Sequence, residues 1–375
     1  MEFVRVFGAV LGGLIVLATS ASIMQTVVTP GGRVGRAFKA VSRVIGVVFR
    51  LGTRPLTRYE QRYRIMAFQA PLALTVVLFL WLGAYVLAYG LLLWPATRNM
   101  AAALRESGSS LLTLGFATTR AGGPTVLDFA AGATGLIVVA LQIAYLPTLY
   151  SSFNRRETEV TLMGVRAGLP AWGPELLARS TFTITSEELP EFYRVWERWA
   201  ADVAESHSSY PILLQFRSPH HLSSWLISLL AVMDSAALWS AVAPDDLPVQ
   251  ARLCLAMGFR CLRQLAATLG IPYEEDPRPD AGIALTREEF DQGIERLQSV
   301  DFPMTRTPDE AWPHFQGWRV NYEPIVYRLA YAIDAVPAAW SGPRRSGEAP
   351  LAPKRVINRT PDSPEGAPPS FRRGR

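Results

Sequence analysis

The chain has 375 residues, 49% of them hydrophobic and only 18% charged, with a net charge of +5 and two cysteines. That apolar content is concentrated in long runs near the N-terminus, which excludes a wholly water-soluble protein. The net charge hides opposed blocks: residues 29–66 carry nine Lys or Arg against Glu60 alone, whereas residues 155–340 carry 16 Arg against 25 Asp or Glu. The large polar block is therefore acidic, which argues against nucleic acid as its partner.

Residues 1–28 form the first element, with an apolar run at 6–28 preceded by Arg5. The small residues Ala18-Thr19-Ser20-Ala21 also fit a signal peptide, but a weakly basic start and no exported domain behind it favour a retained span. Residues 29–66 follow as a basic loop holding Arg33, Arg36, Lys39, Arg43, Arg50, Arg54, Arg58, Arg62 and Arg64. The positive-inside rule places such a loop in the cytoplasm and the N-terminus outside. Within it Arg36, Lys39, Arg43 and Arg50 recur at helical spacing opposite Phe38, Val41, Ile45 and Val48. This pattern predicts an amphipathic helix in the cytoplasmic interface, against anionic headgroups. A solvated basic linker that only enforces topology explains the same residues.

Two further apolar runs are each long enough to cross a bilayer, which takes about 20 helical residues. Residues 67–94 are apolar apart from Gln69, and residues 126–150 are broken only by Asp128, Thr134, Gln142 and Thr148. Residues 95–125 between them are too polar for a span and long enough to dip into the membrane and return. A re-entrant segment is tolerated at that depth only where it is buried in protein or lines water. Residues 97–112 read as a short helix with Thr97 as its N-cap. The stretch Thr113-Leu114-Gly115-Phe116-Ala117-Thr118 comes next.

Span, short helix, Thr-x-Gly-aromatic and span again, over residues 67–156, resembles the two-transmembrane pore-loop potassium channels. In that resemblance Thr113, Leu114, Gly115, Phe116 and Ala117 stand on the family's Thr-Val-Gly-Tyr-Gly filter, within a pore helix and filter at 97–118. The resemblance implies a homotetramer in the cytoplasmic membrane, with the filter facing outward. Backbone carbonyls and the Thr113 hydroxyl would replace the hydration shell of a monovalent cation, K+ in the family. It also implies that the inner helix bends at a glycine or proline, so Gly132, Gly135 and Pro147 are gate or hinge candidates. Close helix packing is the other use of small residues there.

Two positions depart from the family: Ala117 replaces its second glycine, and Thr118 replaces its usual aspartate. Alanine where φ must be positive costs on the order of 1 kcal/mol, and a threonine removes a carboxylate that would brace the filter. Altered selectivity is the expectation. The alternative reading is a membrane-anchored scaffold or sensor with a non-conducting, pore-like hairpin.

Residues 157–340 show helical periodicity and predict a cytoplasmic α-helical domain. Its expected helices lie at 187–207, 222–242, 249–269, 287–300 and 318–336, with Thr286 and Glu289 as a capping box. Residues 222–242 are apolar enough to pass for a span, but Asp234 near the centre would cost roughly 2.5 to 3.5 kcal/mol on insertion, so a core helix is expected. His207, His220, His221 and His314 lack metal-ligand spacing, and no metal or other cofactor is expected. Cys254 and Cys261 lie about 10 Å apart along one helix, too far for a disulfide. No nucleophile-and-base pair, phosphate loop or dinucleotide fingerprint is recognisable, so no enzyme activity is expected. Residues 341–375 are rich in Pro, Gly, Ser and Arg and read as a disordered basic tail. The predicted fold class is all-α: a pore-loop domain preceded by one extra span and followed by a soluble helical domain.

Overall fold

A computed structural model describes residues 2–29, 36–56, 58–118, 122–180, 188–344 and 347–354. They are helical, with two isolated β-bridges and no strand among the described residues. The chain divides into two compact units, one of residues 1–55 and 65–151 and the other of residues 56–64 and 152–375.

The first unit contains α1 (Glu2–Ile23), α2 (Arg36–Thr53), α4 (Gln69–Leu93), α5 (Met100–Leu111) and the beginning of α6 (Gly122–Ala167). Helices α1, α4 and α6 are long and apolar enough to span a bilayer, and they define a membrane protein. Helix α1 packs along α4 through glycine: a Cβ on Gly12 would stand 2.5 Å from the Ala88 carbonyl oxygen. Small residues that let backbones approach this closely are the usual contact between membrane helices. Polar groups lock the same pair, since Ser20 and Tyr85 share a 2.8 Å hydrogen bond and Trp81 Nε1 donates to Ser22 at 3.3 Å.

The second unit contains α3 (Tyr59–Met66) up to Arg64, the end of α6, α7 (Gly173–Ser180), α8 (Leu189–Ser209), α9 (Trp225–Val242), α10 (Val249–Leu269), α11 (Arg287–Gln298), α12 (Pro308–Arg319) and α13 (Glu323–Ile333). Helix α9 also meets the length and composition of a span, yet every residue of it is buried inside this unit. Its Asp234 accepts hydrogen bonds from Arg319 and, at 2.7 Å, from the Tyr322 hydroxyl, while Arg319 also donates to Glu323 at 2.6 Å. A buried carboxylate needs such partners, because an unpaired charge in the interior costs several kcal/mol. The rings of Phe315, Tyr322, Tyr327 and Trp340 enclose the Arg319 guanidinium. The core helix expected at 222–242 is thus α9.

Three expectations are corrected. The helix expected at 318–336 is two helices, because Pro324 cannot donate within a helix interior and instead opens α13 as its first-turn proline. Residues 341–344 and 347–354, expected to be disordered, are packed: Arg344 donates to the Ala335, Val336 and Ser341 carbonyls, and Leu169 and Lys354 exchange backbone hydrogen bonds. Composition missed these because a single buried guanidinium fixes the turn through carbonyls that no side-chain pattern reveals; residues 355–375 lie outside the described residues. Arg62, expected in an open basic loop, is 5% exposed and pairs with Glu348 at 2.8 Å. Its segment belongs to the second unit.

Arg156 is fully buried in the second unit. It pairs with Glu157 and donates to the Leu213 and Phe216 carbonyls at 2.9 and 2.8 Å and to His207 Nε2 at 2.9 Å. Arginine only donates, so Nε2 accepts and the ring proton sits on Nδ1, facing Ser206 Oγ at 3.0 Å. Burial and the adjacent guanidinium hold the His207 pKa well below 6.5. The unfolded chain binds a proton at this histidine below about pH 6.5 and the folded chain does not, so the contribution is intact above that pH and falls away below it by up to 1.4 kcal/mol per pH unit. Thermal melts of the full chain from pH 7.5 to 5.5 should show this acid slope, and His207→Gln should flatten it. Equal slopes in parent and variant would mean that His207 is not buried as a neutral ring.

Candidate functional site

The short helix α5 starts at Asn99, whose side chain accepts the Ala102 amide at 2.9 Å. Asn99, not the expected Thr97, is the N-cap, because Thr97 follows a single 3-10 turn at Trp94–Ala96 and its hydroxyl bonds back to the Trp94 and Asn99 carbonyls. On one side α5 lies against α4: Ser107 Oγ donates to the Val86 carbonyl at 2.8 Å, and a Cβ on Gly90 would meet the Leu104 side chain at 2.7 Å. On the other side it lies against α6. A Cβ on Gly135 would sit 2.0 Å from the Leu111 carbonyl oxygen, and one on Gly132 would sit 3.3 Å from that of Ser110.

The loop after α5 folds back on the end of that helix. The Thr113 amide donates to the Ser110 carbonyl at 3.0 Å, and the Leu114 and Gly115 amides donate to the Ser109 carbonyl at 2.8 and 3.4 Å. The Phe116 and Ala117 amides then donate to the Ser109 hydroxyl oxygen at 2.9 and 3.1 Å. Among the described residues, the carbonyls of Thr113, Leu114, Gly115, Phe116 and Ala117 accept no hydrogen bond. Five consecutive amides are satisfied on one side and five consecutive carbonyls are left unpartnered. The loop is largely exposed, so solvent, an ion or another chain can supply the partner of these carbonyls.

Two left-handed residues make this wrap, Gly115 at φ 70° and Thr113 at φ 55°. The glycine is free to adopt that angle, whereas a β-branched residue there is strained. Ala117, expected at a positive φ, does not have one, so its methyl brings no backbone cost. Leu112, Leu114 and Phe116 are more than half or nearly half exposed, and the Arg105 guanidinium lies 5.4 Å from the Phe116 ring centre.

A second correction concerns the missing carboxylate. Thr118 removes one, but Asp128 of α6 returns one to the loop: Ser110 Oγ donates to its Oδ1 at 2.6 Å, and Thr118 Oγ1 to its Oδ2 at 3.4 Å. The sequence marks Asp128 as a polar residue of a span, which by default faces a cavity or a partner, and gives Ser109, in the stretch that leads into the loop, no role of its own. A serine before Thr-x-Gly has no signature of its own, and a carboxylate ten residues beyond the loop is brought back to it only by the helical hairpin.

The remaining candidates are placed as follows. Gly132, Gly135 and Pro147 all lie inside one continuous helix, α6. The two glycines mark its closest approach to α5, the packing use of small residues. In α2, Lys39 and Arg43 are exposed while Phe38 and Ile45 are buried against the first unit. Arg50 is half-buried, with its guanidinium near Gly46, and the side chain of Arg36 lies outside the described residues. Val44, Val47, Val48 and Leu51 form an exposed apolar stripe at i, i+3, i+4 and i+7, so Val48, expected opposite the basic residues, is on the open side. Comparison with known protein families, curated proteins and solved structures finds no match for this chain.

The packing of α5 on α6 gives an ordered expectation. Gly135→Ala drives a methyl into a backbone oxygen that cannot rotate away, whereas the contact at Gly132 is slack enough to absorb one. Thermal unfolding in detergent should show a loss of about 1 to 3 kcal/mol for Gly135→Ala, the range seen for overpacking, and a smaller one for Gly132→Ala. Equal effects at the two positions would contradict this geometry.

Proposed function

We propose that the chain is the pore-forming subunit of a homotetrameric, potassium-channel-like cation channel of the cytoplasmic membrane, regulated by its second unit. The observation that carries this reading is the loop at Thr113–Ala117, where every amide turns inward to Ser109 or Ser110 and no carbonyl has a partner among the described residues. A permeant ion that has shed its water needs rings of such oxygens, and one chain offers one strand of them. Four copies around an axis close the ring. Assembly would also cover Leu112, Leu114 and Phe116, which one chain leaves exposed. The strained Thr113 supports the same reading, since residues held at rare angles gather where function demands them.

The basic residues of 29–66 orient the chain, with the N-terminus outside and the second unit in the cytoplasm. The exposed apolar stripe of α2 beside Lys39 and Arg43 fits a helix lying among anionic headgroups. Selectivity between potassium and sodium should be weaker than in the family, for a reason other than the two substitutions. The outer two amides hang on one side-chain hydroxyl, and nothing packs within 4 Å of a Cβ on Gly115. Carbonyls backed so softly can close around either ion.

Reconstitution in a planar bilayer tests this reading. The parent should pass monovalent cations, with a bi-ionic potassium and sodium reversal potential close to zero, and Gly115→Val should abolish the current while leaving assembly intact. A parent that carries no current would leave the hairpin as a membrane anchor for the second unit.

A further inference from the structure

The carbonyl loop has two ends, and one carboxylate holds both. Ser110, in the last turn of α5, donates to Asp128 Oδ1 at 2.6 Å, and Thr118, where the loop leaves, donates to Oδ2 at 3.4 Å. Between these two anchor points lie the five residues whose carbonyls are unpartnered. Asp128 is followed on α6 by Gly132 and Gly135, and these three, at i, i+4 and i+7, share one helix face. That face meets the end of α5 at Ser110 and Leu111 through side chain, backbone and backbone in turn. The side chain bridges where α6 and the loop are separated, and the glycines let the helices touch where they are not.

From this geometry we infer that Asp128 is the positioning residue of the carbonyl loop. It rests on the channel reading for its consequence but not for its structure. Asp128 clips the entry and the exit of the loop to α6, so that Ser109 can collect the four amides of Leu114, Gly115, Phe116 and Ala117. Without the clip, the amides of residues 114–117 are held, among the described residues, by Ser109 alone. A carboxylate inside an apolar span is retained where it has such work. In a tetramer the same four carboxylates would surround the loops, so the residue that fixes the oxygens also supplies negative charge beside them.

Hydrogen exchange on the full chain in lipid nanodiscs reads the positioning directly, whether or not the protein conducts. In Asp128→Ala the peptide covering residues 112–118 should exchange about tenfold faster, and in Asp128→Asn, which keeps an acceptor for Ser110, by a smaller factor. Peptides from α8 and from the start of α5 should be unchanged. Ser110→Ala and Thr118→Val should each reproduce part of the effect, which keeps the test open if Asp128→Ala fails to fold. Unchanged exchange at 112–118 in Asp128→Asn and in both hydroxyl variants would overturn the inference.

Permeation is the second arm. With a conducting parent, Asp128→Asn should alter the bi-ionic reversal potential, and Asp128→Glu should restore it more nearly than asparagine does. Altered exchange with no current in the parent would leave Asp128 as a positioning residue and remove the channel reading. Current in the parent with no change in exchange would do the reverse.

Discussion

Backbone amides turned away from solvent must find acceptors, and around residue 109 that constraint organises the loop between α5 and α6. Ser109 is buried, and its carbonyl and hydroxyl oxygens together receive four successive amides. A peptide unit carries its N–H and C=O in opposite directions, so satisfying a run of amides from one residue turns the run of carbonyls the other way. The unpartnered oxygens are thus produced by the same bonds that hold the loop, and need no separate device. The supports follow from this: Asn99 starts α5 where its last turn will reach the loop, α4 backs it at Ser107, and Gly135 lets α6 approach Leu111.

Much of the architecture was legible from periodicity. The apolar runs became α1, α4 and the first part of α6, and the buried helix α9 was told from a span by Asp234, whose partners Arg319 and Tyr322 lie more than eighty residues away. The capping box at Thr286 and Glu289 opens α11 as read, and an equivalent one at Thr307 and Glu310 opens α12. What stayed hidden were arginines. Arg62, Arg156 and Arg344 look like surface or interfacial charges, and the structure buries all three, on Glu348, on Glu157 with two carbonyls, and on a run of carbonyls. A guanidinium has five donors in a fixed fork, so it can organise backbone acceptors contributed by distant turns, and the sequence carries no periodic mark of that.

For the candidate loop the sequence carried its place between two helices but not the bonds that hold it. Thr113 to Ala117 fall in the loop between α5 and α6, and Gly115 has the left-handed angle that a glycine permits. The two departures from the resembled family carried less weight than composition suggested. Ala117 has ordinary backbone angles, and the carboxylate absent at 118 is replaced from 128. Aligning a motif position by position assumes that each role stays at its place in the chain. A role defined by a hydrogen bond can move to any residue that reaches the same donor.

Helix α6 ties these observations into one object. It is continuous from Gly122 to Ala167, and so carries Asp128, Gly132 and Gly135 in the first unit and Arg156 in the second. Arg156 is held by Glu157, two carbonyls and His207, so that the end of α6 is fixed within the second unit at a fully buried side chain. A helix resists compression and bending along its length except where a backbone bond is missing, and Pro147 removes one between the two groups of anchors. The proline is thus the one place among the described residues of α6 where a helix bond is lost for want of a donor, and compliance belongs there. Gly132 and Gly135 are poor places for that compliance, because both are pressed against the end of α5, whereas Pro147 is exposed and already lacks its donor.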